Sequence, residues 1–175
     1  MLDAKIVPFN PDVHMDGYIE IYTDYITWFS KQFIEYNNRD IYTEMGTSIT
    51  EFVQNNLEPY ISMKLPEGTL QILEVDGTVA GMGVIHKLSE DTGEIKRMYN
   101  RPEYRGNGYG RLILNTLLDI GKSVGCTRFL LDSPNFGFAA HNLYKSVGFK
   151  EVDDYPESEI PVDWRQYWKF MEMIL

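Results

Sequence analysis

Six residues near the middle of the chain, Arg105-Gly106-Asn107-Gly108-Tyr109-Gly110, constrain its fold more than any other segment. Upstream, Glu94 to Asn100 reads as a strand. Downstream, Arg111 to Val124 places Leu112, Ile113, Leu117, Leu118 and Ile120 on one face of a helix, with Gly125 as its stop. A glycine loop between a strand and a helix lets the backbone come close to a ligand and turns the first helical N–H groups toward negative charge. Pyrophosphate is the natural guest of such a joint. A Walker loop is excluded because Arg111 stands where Gly-Lys-Ser/Thr is needed, and glycines at 106, 108 and 110 do not make G-x-G-x-x-G. A glycine-rich turn without a ligand is the remaining alternative.

The rest of the chain predicts a single mixed α/β domain over residues 1–175. Lys5 to Phe9 reads as an opening strand. Tyr18, Tyr22, Tyr25, Phe29, Phe33 and Tyr36 recur at steps of three and four, which predicts an amphipathic helix from about Pro11 to Asn37. Ser48 and Glu51 have capping-box spacing and predict a second helix to about Leu57. Thr69–Val75 and Thr78–Leu88 form strands around the hairpin signal Asp76-Gly77. After the glycine loop and its helix come a buried strand over Thr127–Leu131, a short helix over Phe138–Ser146, and strands at Phe149–Val152 and Trp168–Leu175.

Charge separates classes of partner. The net charge of −10 argues against nucleic acid, which calls for a basic face. Residues 1–60 hold ten acids and three bases and residues 151–175 seven and two, whereas residues 61–150 hold nine acids and eleven bases. Within that middle part, Lys96, Arg97, Arg101, Arg105 and Arg111 face a single acid, Glu103. The distribution suits an anion in the middle and a cation at the ends. No apolar run approaches the roughly 18 residues that cross a bilayer, and Met1–Asn10 lacks the layout of a secretory signal. The lone Cys126 excludes an internal disulfide, fits a cytoplasmic setting and reads as a core residue. His14, His86 and His141 have no metal-ligand spacing, so no metal is expected.

The segment from Glu94 to Gly110 resembles the acetyl-CoA-binding core of the GNAT (Gcn5-related) N-acetyltransferases. Their signature Arg/Gln-x-x-Gly-x-Gly/Ala is met by Arg105, Gly108 and Gly110. A second block, Ala140-His-Asn-Leu143-Tyr144-Lys-Ser-Val-Gly148-Phe149, resembles the family's A-x-x-L-Y-x-x-x-G-F. The resemblance covers residues 69–152. It implies the GNAT fold: a central, mostly antiparallel sheet flanked by helices, with two strands, one ending near Asn100 and one starting at Thr127, splayed apart. It implies acetyl-CoA as cosubstrate, its pantetheine arm on the backbone of Met98, Tyr99 and Asn100. Its pyrophosphate would lie on the amides of Arg105, Gly106, Asn107, Gly108, Tyr109 and Gly110, with Arg111 beside it. Many relatives carry an asparagine seven residues before the tyrosine; here that position is Gly137, and Asn135 is the nearest substitute.

Acetyl transfer to an amine needs a neutral amine, a polarised carbonyl and a proton for the leaving thiolate. By the resemblance, Tyr144 is the thiolate's proton donor and Glu94, eleven residues before Arg105, the base; a core tyrosine and a strand-edge glutamate are the plainer readings. A backbone amide near Met98 would serve the oxyanion. The acidic segments Asp153–Glu159 and Asp12, Asp16, Glu20 and Asp24 point to a cationic acceptor, either a small-molecule or a peptide amine. The alternative function is a CoA-binding regulatory protein without turnover. A homodimer is compatible with either.

Overall fold

The computed structural model describes residues 3–175. The aromatic stripe in the first third makes α1 (Pro11–Asn37), which buries Tyr18, Ile21, Tyr22, Ile26, Phe29 and Phe33. Asn10 caps its start by accepting from the Asp12 N–H, Pro11 fits the first turn, and Asn38 ends it in the left-handed region at φ 52°. Two short helices flank the expected second one: α2 (Ile41–Glu44) and α4 (Glu58–Ile61) bracket α3 (Ile49–Asn56). The Ser48–Glu51 capping box forms in both directions.

Seven strands make one sheet: β1 (Ala4–Pro8), β2 (Gly68–Val75), β3 (Thr78–Lys87), β4 (Thr92–Asn100), β5 (Arg128–Pro134), β6 (Lys150–Val152) and β7 (Trp168–Ile174), in the order β1-β2-β3-β4-β5-β7-β6. Asp76 and Gly77 both have positive φ, as a two-residue hairpin requires. Alternation along the strands divides the interior in two. Leu70, Ile72, Met82 and Val84 pack under α1, while Leu73, Ile85 and Ile95 pack under α5 (Tyr109–Ser123). Leu112, expected on the buried stripe of that helix, is 41% exposed, and Leu114 takes its place in the core. Ile113, Leu114, Leu117, Leu118 and Gly121 share the buried face at steps of three and four, and Leu112 falls beside it. Helix α6 (Phe138–Val147) buries Tyr144 and His141.

Two irregularities position everything that follows. All neighbouring strands are antiparallel except β4 and β5, which run parallel and pair only from Thr92–Arg128 to Glu94–Leu130. Beyond that point they part. In β4, Val84 of β3 faces Lys96 but Met82 faces Tyr99, so β4 carries one extra residue, and Arg97 there has φ 55°. This is a β-bulge placed at the opening of the two strands.

Candidate active site

The gap left by β4 and β5 is lined differently on its two sides. One groove, about 450 Å³, has Met98, Tyr99 and Asn100 of β4 on one wall and Gly137, Ala140, Leu143 and Tyr144 on the other, with the glycine loop at its end. A second cavity, about 330 Å³, takes the preceding three residues of β4, Ile95, Lys96 and Arg97, and faces Asp132 and Pro134 of β5. The aromatic residues Tyr25, Trp28, Tyr99 and Phe136 pack in a continuous series between them. The groove and the cavity therefore take successive parts of β4, the cavity up to Arg97 at the bulge and the groove from Met98 onward.

The groove suits an extended ligand ending in phosphates. Gly106 and Gly108 both sit in the left-handed region, at φ 81° and 80°, and nothing lies within 4 Å of where a side chain would begin. Gly108 starts α5 with no side-chain cap, which leaves amides of the first helical turn free for an anion. With its amide oxygen toward the helix, Asn100 accepts from the Gly110 N–H at 3.0 Å, so that amide is already engaged. Arg105 donates from Nε to the Asn100 carbonyl at 3.0 Å and lies over the Tyr99 and Trp28 rings, 5.3 and 5.7 Å from their centroids. Arg111 donates to Ser146 at 2.7 Å across the groove mouth. The Tyr144 side chain is 7% exposed and lines the groove, and burial raises its phenol well above the usual range. It therefore keeps its proton through the neutral range.

The basic cluster of the sequence does not act as one patch. Arg101 is tied to Glu20 at 3.1 Å and lies 3.7 Å from Asp24, and Lys96 and Arg97 face the other cavity. Arg105 and Arg111 alone of the five line the groove. Asn135 is also elsewhere: its side chain exchanges hydrogen bonds with Asn37 at the end of α1. Nothing replaces the asparagine expected at 137, and the reason is steric. A side chain at Gly137 would begin 2.8 Å from Ser133 Oγ and 3.2 Å from His141 Nε2, two atoms that lie 3.1 Å apart within hydrogen-bonding reach of each other.

The second cavity is apolar along most of its wall, with Phe29, Tyr42, Phe52, Trp164 and Trp168, and charged at its floor. Glu94 is 1% exposed and lies behind that floor, 3.3 Å from Lys96 Nζ. It accepts from the Tyr155 hydroxyl at 2.9 Å. Two carboxylates line the cavity, Glu159 and Asp132, and the second was missed by sequence reasoning. Burial raises Asp132 to about 6; Lys96 opposes the rise and the charge of Glu94 adds to it. An acid in the run Phe129-Leu-Leu-Asp-Ser was the available signal, hidden because the predicted strand stopped at Leu131. The acidic segments are mostly outside. Asp12, Asp16, Glu20, Asp24, Asp153, Asp154 and Glu157 are exposed, and of these stretches Glu159 alone lines the cavity, bound to Lys96 at 2.6 Å.

The profile of the acetyltransferase (GNAT) family matches residues 19–149, and the chain belongs to that family. It is 32% identical over 98 residues to an uncharacterised N-acetyltransferase of Schizosaccharomyces pombe, a match covering 55% of this chain and 60% of that protein. Among solved structures it is similar to the PaiA N-acetyltransferase of Thermoplasma acidophilum in complex with coenzyme A, with TM-score 0.71, 16% identity and 99% of both chains covered. It is also similar to YncA of Salmonella typhimurium with acetyl-CoA, with TM-score 0.66, 18% identity, and 98% and 94% covered. Among the described residues no helix is long and apolar enough to cross a membrane.

Proposed function

We propose that this protein transfers the acetyl group of acetyl-CoA to a primary amine by direct attack, with both substrates bound at once. The observation that carries the reading is the groove and the cavity that flank the bulge where β4 and β5 part, one ending in an uncapped helix start and the other holding the half-buried carboxylate of Asp132. Solved GNAT relatives with coenzyme A or acetyl-CoA support assigning the groove to that donor. Met98, Tyr99 and Asn100 would hold its arm, and Gly106, Gly108, Tyr109, Arg105 and Arg111 its phosphates. Bound there, acetyl-CoA supplies an activated thioester.

This chain's own groups account for the protons. The acceptor arrives as an ammonium ion, the cationic feature anticipated from the acidic composition, and Asp132 takes its proton. An acid poised near 6 is ionised at neutral pH, yet is basic enough to serve. As the new N–C bond forms and the C–S bond breaks, Tyr144 gives its proton to the departing sulfur, and the second proton of the acylated nitrogen restores the phenol, leaving a neutral amide and a free thiol. The Met98 amide, at the bulge, is the donor for the carbonyl oxygen.

Thermal unfolding with and without ligands tests the donor: acetyl-CoA should raise the melting temperature and ATP should not. Thiol release on adding amines then tests transfer. A large shift with no amine-dependent thiol from any acceptor leaves a CoA-binding regulatory protein instead.

A further inference from the structure

Taking the second cavity as the acceptor site, its floor holds two cations and they are not equivalent. Lys96 is shared by Glu94 and Glu159, at 3.3 and 2.6 Å. Arg97 has no carboxylate partner among the described residues. Its Nε donates to the Tyr60 hydroxyl at 3.2 Å, and the Tyr25 phenol is its other hydrogen-bonding neighbour. Around it stand aromatic rings, with Tyr60 and Tyr22 centroids 5.3 and 5.6 Å from its guanidinium carbon. Two nearby hydroxyls in the same aromatic stack, Tyr18 and Tyr22, are buried with no hydrogen-bond partner. A guanidinium this enclosed, with Asp132 and Glu159 acting on it through charge but neither within ion-pair distance, is costly to keep, and it stands in the bulge at φ 55°, a conformation that a residue with a side chain adopts only at a cost. Its partners are phenols rather than carboxylates, and a planar anion is the guest for which arginine is suited and lysine is not.

We infer that the acceptor is an amino acid: a primary amine carrying a carboxylate that Arg97 binds, with an apolar or aromatic body lying against Phe29, Tyr42, Phe52, Trp164 and Trp168. The ammonium end meets Asp132 and the carboxylate end meets Arg97, both of which line the cavity floor. The floor then receives a zwitterion with one opposite charge for each end. A plain amine would leave Arg97 unpaired, and a polyamine would add a second cation beside it. The inference rests on the transferase reading for the location of the acceptor, and it goes further by fixing the acceptor's charge pattern.

The test uses matched pairs differing only in the carboxylate: L-phenylalanine with 2-phenylethylamine, and L-leucine with isopentylamine. Binding is measured by calorimetry to the full chain with coenzyme A present, and transfer is measured separately by thiol release. A charge-assisted contact contributing about 1.5–3 kcal/mol predicts that the acids bind at least about ten-fold more tightly. Arg97→Gln should bring the ratio within each pair close to one, and Arg97→Lys should restore part of it. Circular dichroism and the coenzyme A affinity of the variants report folding. Equal binding within the pairs in the unaltered protein overturns the inference without involving any variant. So does an acid preference that persists in a folded Arg97→Gln protein. If the acids bind but no amine is acetylated, the transferase reading fails and the carboxylate site stands.

Discussion

Glu94 and Asp132, from the two strands that part, are joined through one phenol: the Tyr155 hydroxyl lies 2.9 Å from Glu94 Oε1 and 3.4 Å from Asp132 Oδ2. A phenol has one hydrogen. When it is donated to Glu94, the oxygen can still accept from Asp132, but only if Asp132 carries a proton. The arrangement favours the protonated form of Asp132, in the same direction as its burial. It also gives each carboxylate a separate part, Asp132 at the cavity and Glu94 behind it.

Asp132→Asn should therefore remove the acidic limb of activity. In the unaltered protein kcat/KM rises with pH through about 6, where Asp132 loses its proton. In the variant the rate at neutral pH falls roughly 10²- to 10⁴-fold, the usual range for a lost general base. A limb that survives in Asp132→Asn, measured with one amine across pH 5–8, would assign the base elsewhere.

Glu94→Gln should behave differently. The charge of Glu94 helps to hold Asp132 up, so removing it shifts the acidic limb to lower pH rather than abolishing it. If the limb instead vanishes in Glu94→Gln and persists in Asp132→Asn, the roles are reversed and the residue eleven before Arg105 is the base after all.

Stability should move opposite to activity. The carboxyl of Asp132 titrates at about 6 in the folded chain against about 3.9 unfolded, so its contribution is fully present below pH 4 and is lost as pH rises through 6. At neutral pH the cost of holding it ionised is up to about 3 kcal/mol, from roughly 1.4 kcal/mol per pKa unit. Asp132→Asn should raise the urea midpoint at pH 7.5 and leave it nearly unchanged at pH 4. A loss of stability at pH 7.5 would contradict this account.

Tyr144→Phe should lower kcat roughly ten- to hundred-fold while leaving the acetyl-CoA dissociation constant within about two-fold, because the hydroxyl is proposed to act only on the departing sulfur. An unchanged kcat would make Tyr144 a groove wall and nothing more.

Gly137→Ala should destabilise by about 1–3 kcal/mol, the range for overpacking a filled site. The new carbon would begin 2.8 Å from Ser133 Oγ and 3.1 Å from the Pro134 carbonyl. Ser133→Ala in the same chain should recover part of the loss in urea unfolding. A neutral Gly137→Ala would show that α6 can shift, and that a side chain could have been accommodated there.

What could be read from the sequence was whatever local chemistry dictates. The Ser48–Glu51 box, the Asp76-Gly77 turn and the glycine loop each depend on near neighbours and formed where expected, and so did the α1 stripe except at its end, where Tyr36 is 51% exposed, while Ile21 and Ile26 join the buried face. The groove proposed for acetyl-CoA is built from such segments, so many of the residues that line it were legible as local motifs. The acceptor half comes from chain positions far apart: Asp132, Tyr155, Arg97 and Trp164 meet only when β4 and β5 separate. Net charge located little of the cavity for the same reason, because most acids of the two ends face water, and the pairing of Lys96 with Glu159 across 63 positions has no local signal.

The extra residue at Arg97 has one more consequence. Ile95 and Tyr99 are four positions apart and in a regular strand would point the same way, yet Ile95 packs under α5 and Tyr99 under α1. β4 is thus two short strands of opposite phase on one backbone. Deleting a single residue at the bulge would turn Met98, Tyr99 and Asn100 inside out while leaving Glu94 to Lys96 untouched. Substitutions before the bulge, by contrast, reshape one ligand's wall without re-aiming the other's, so the choice of acceptor can drift while the grip on the donor stays fixed.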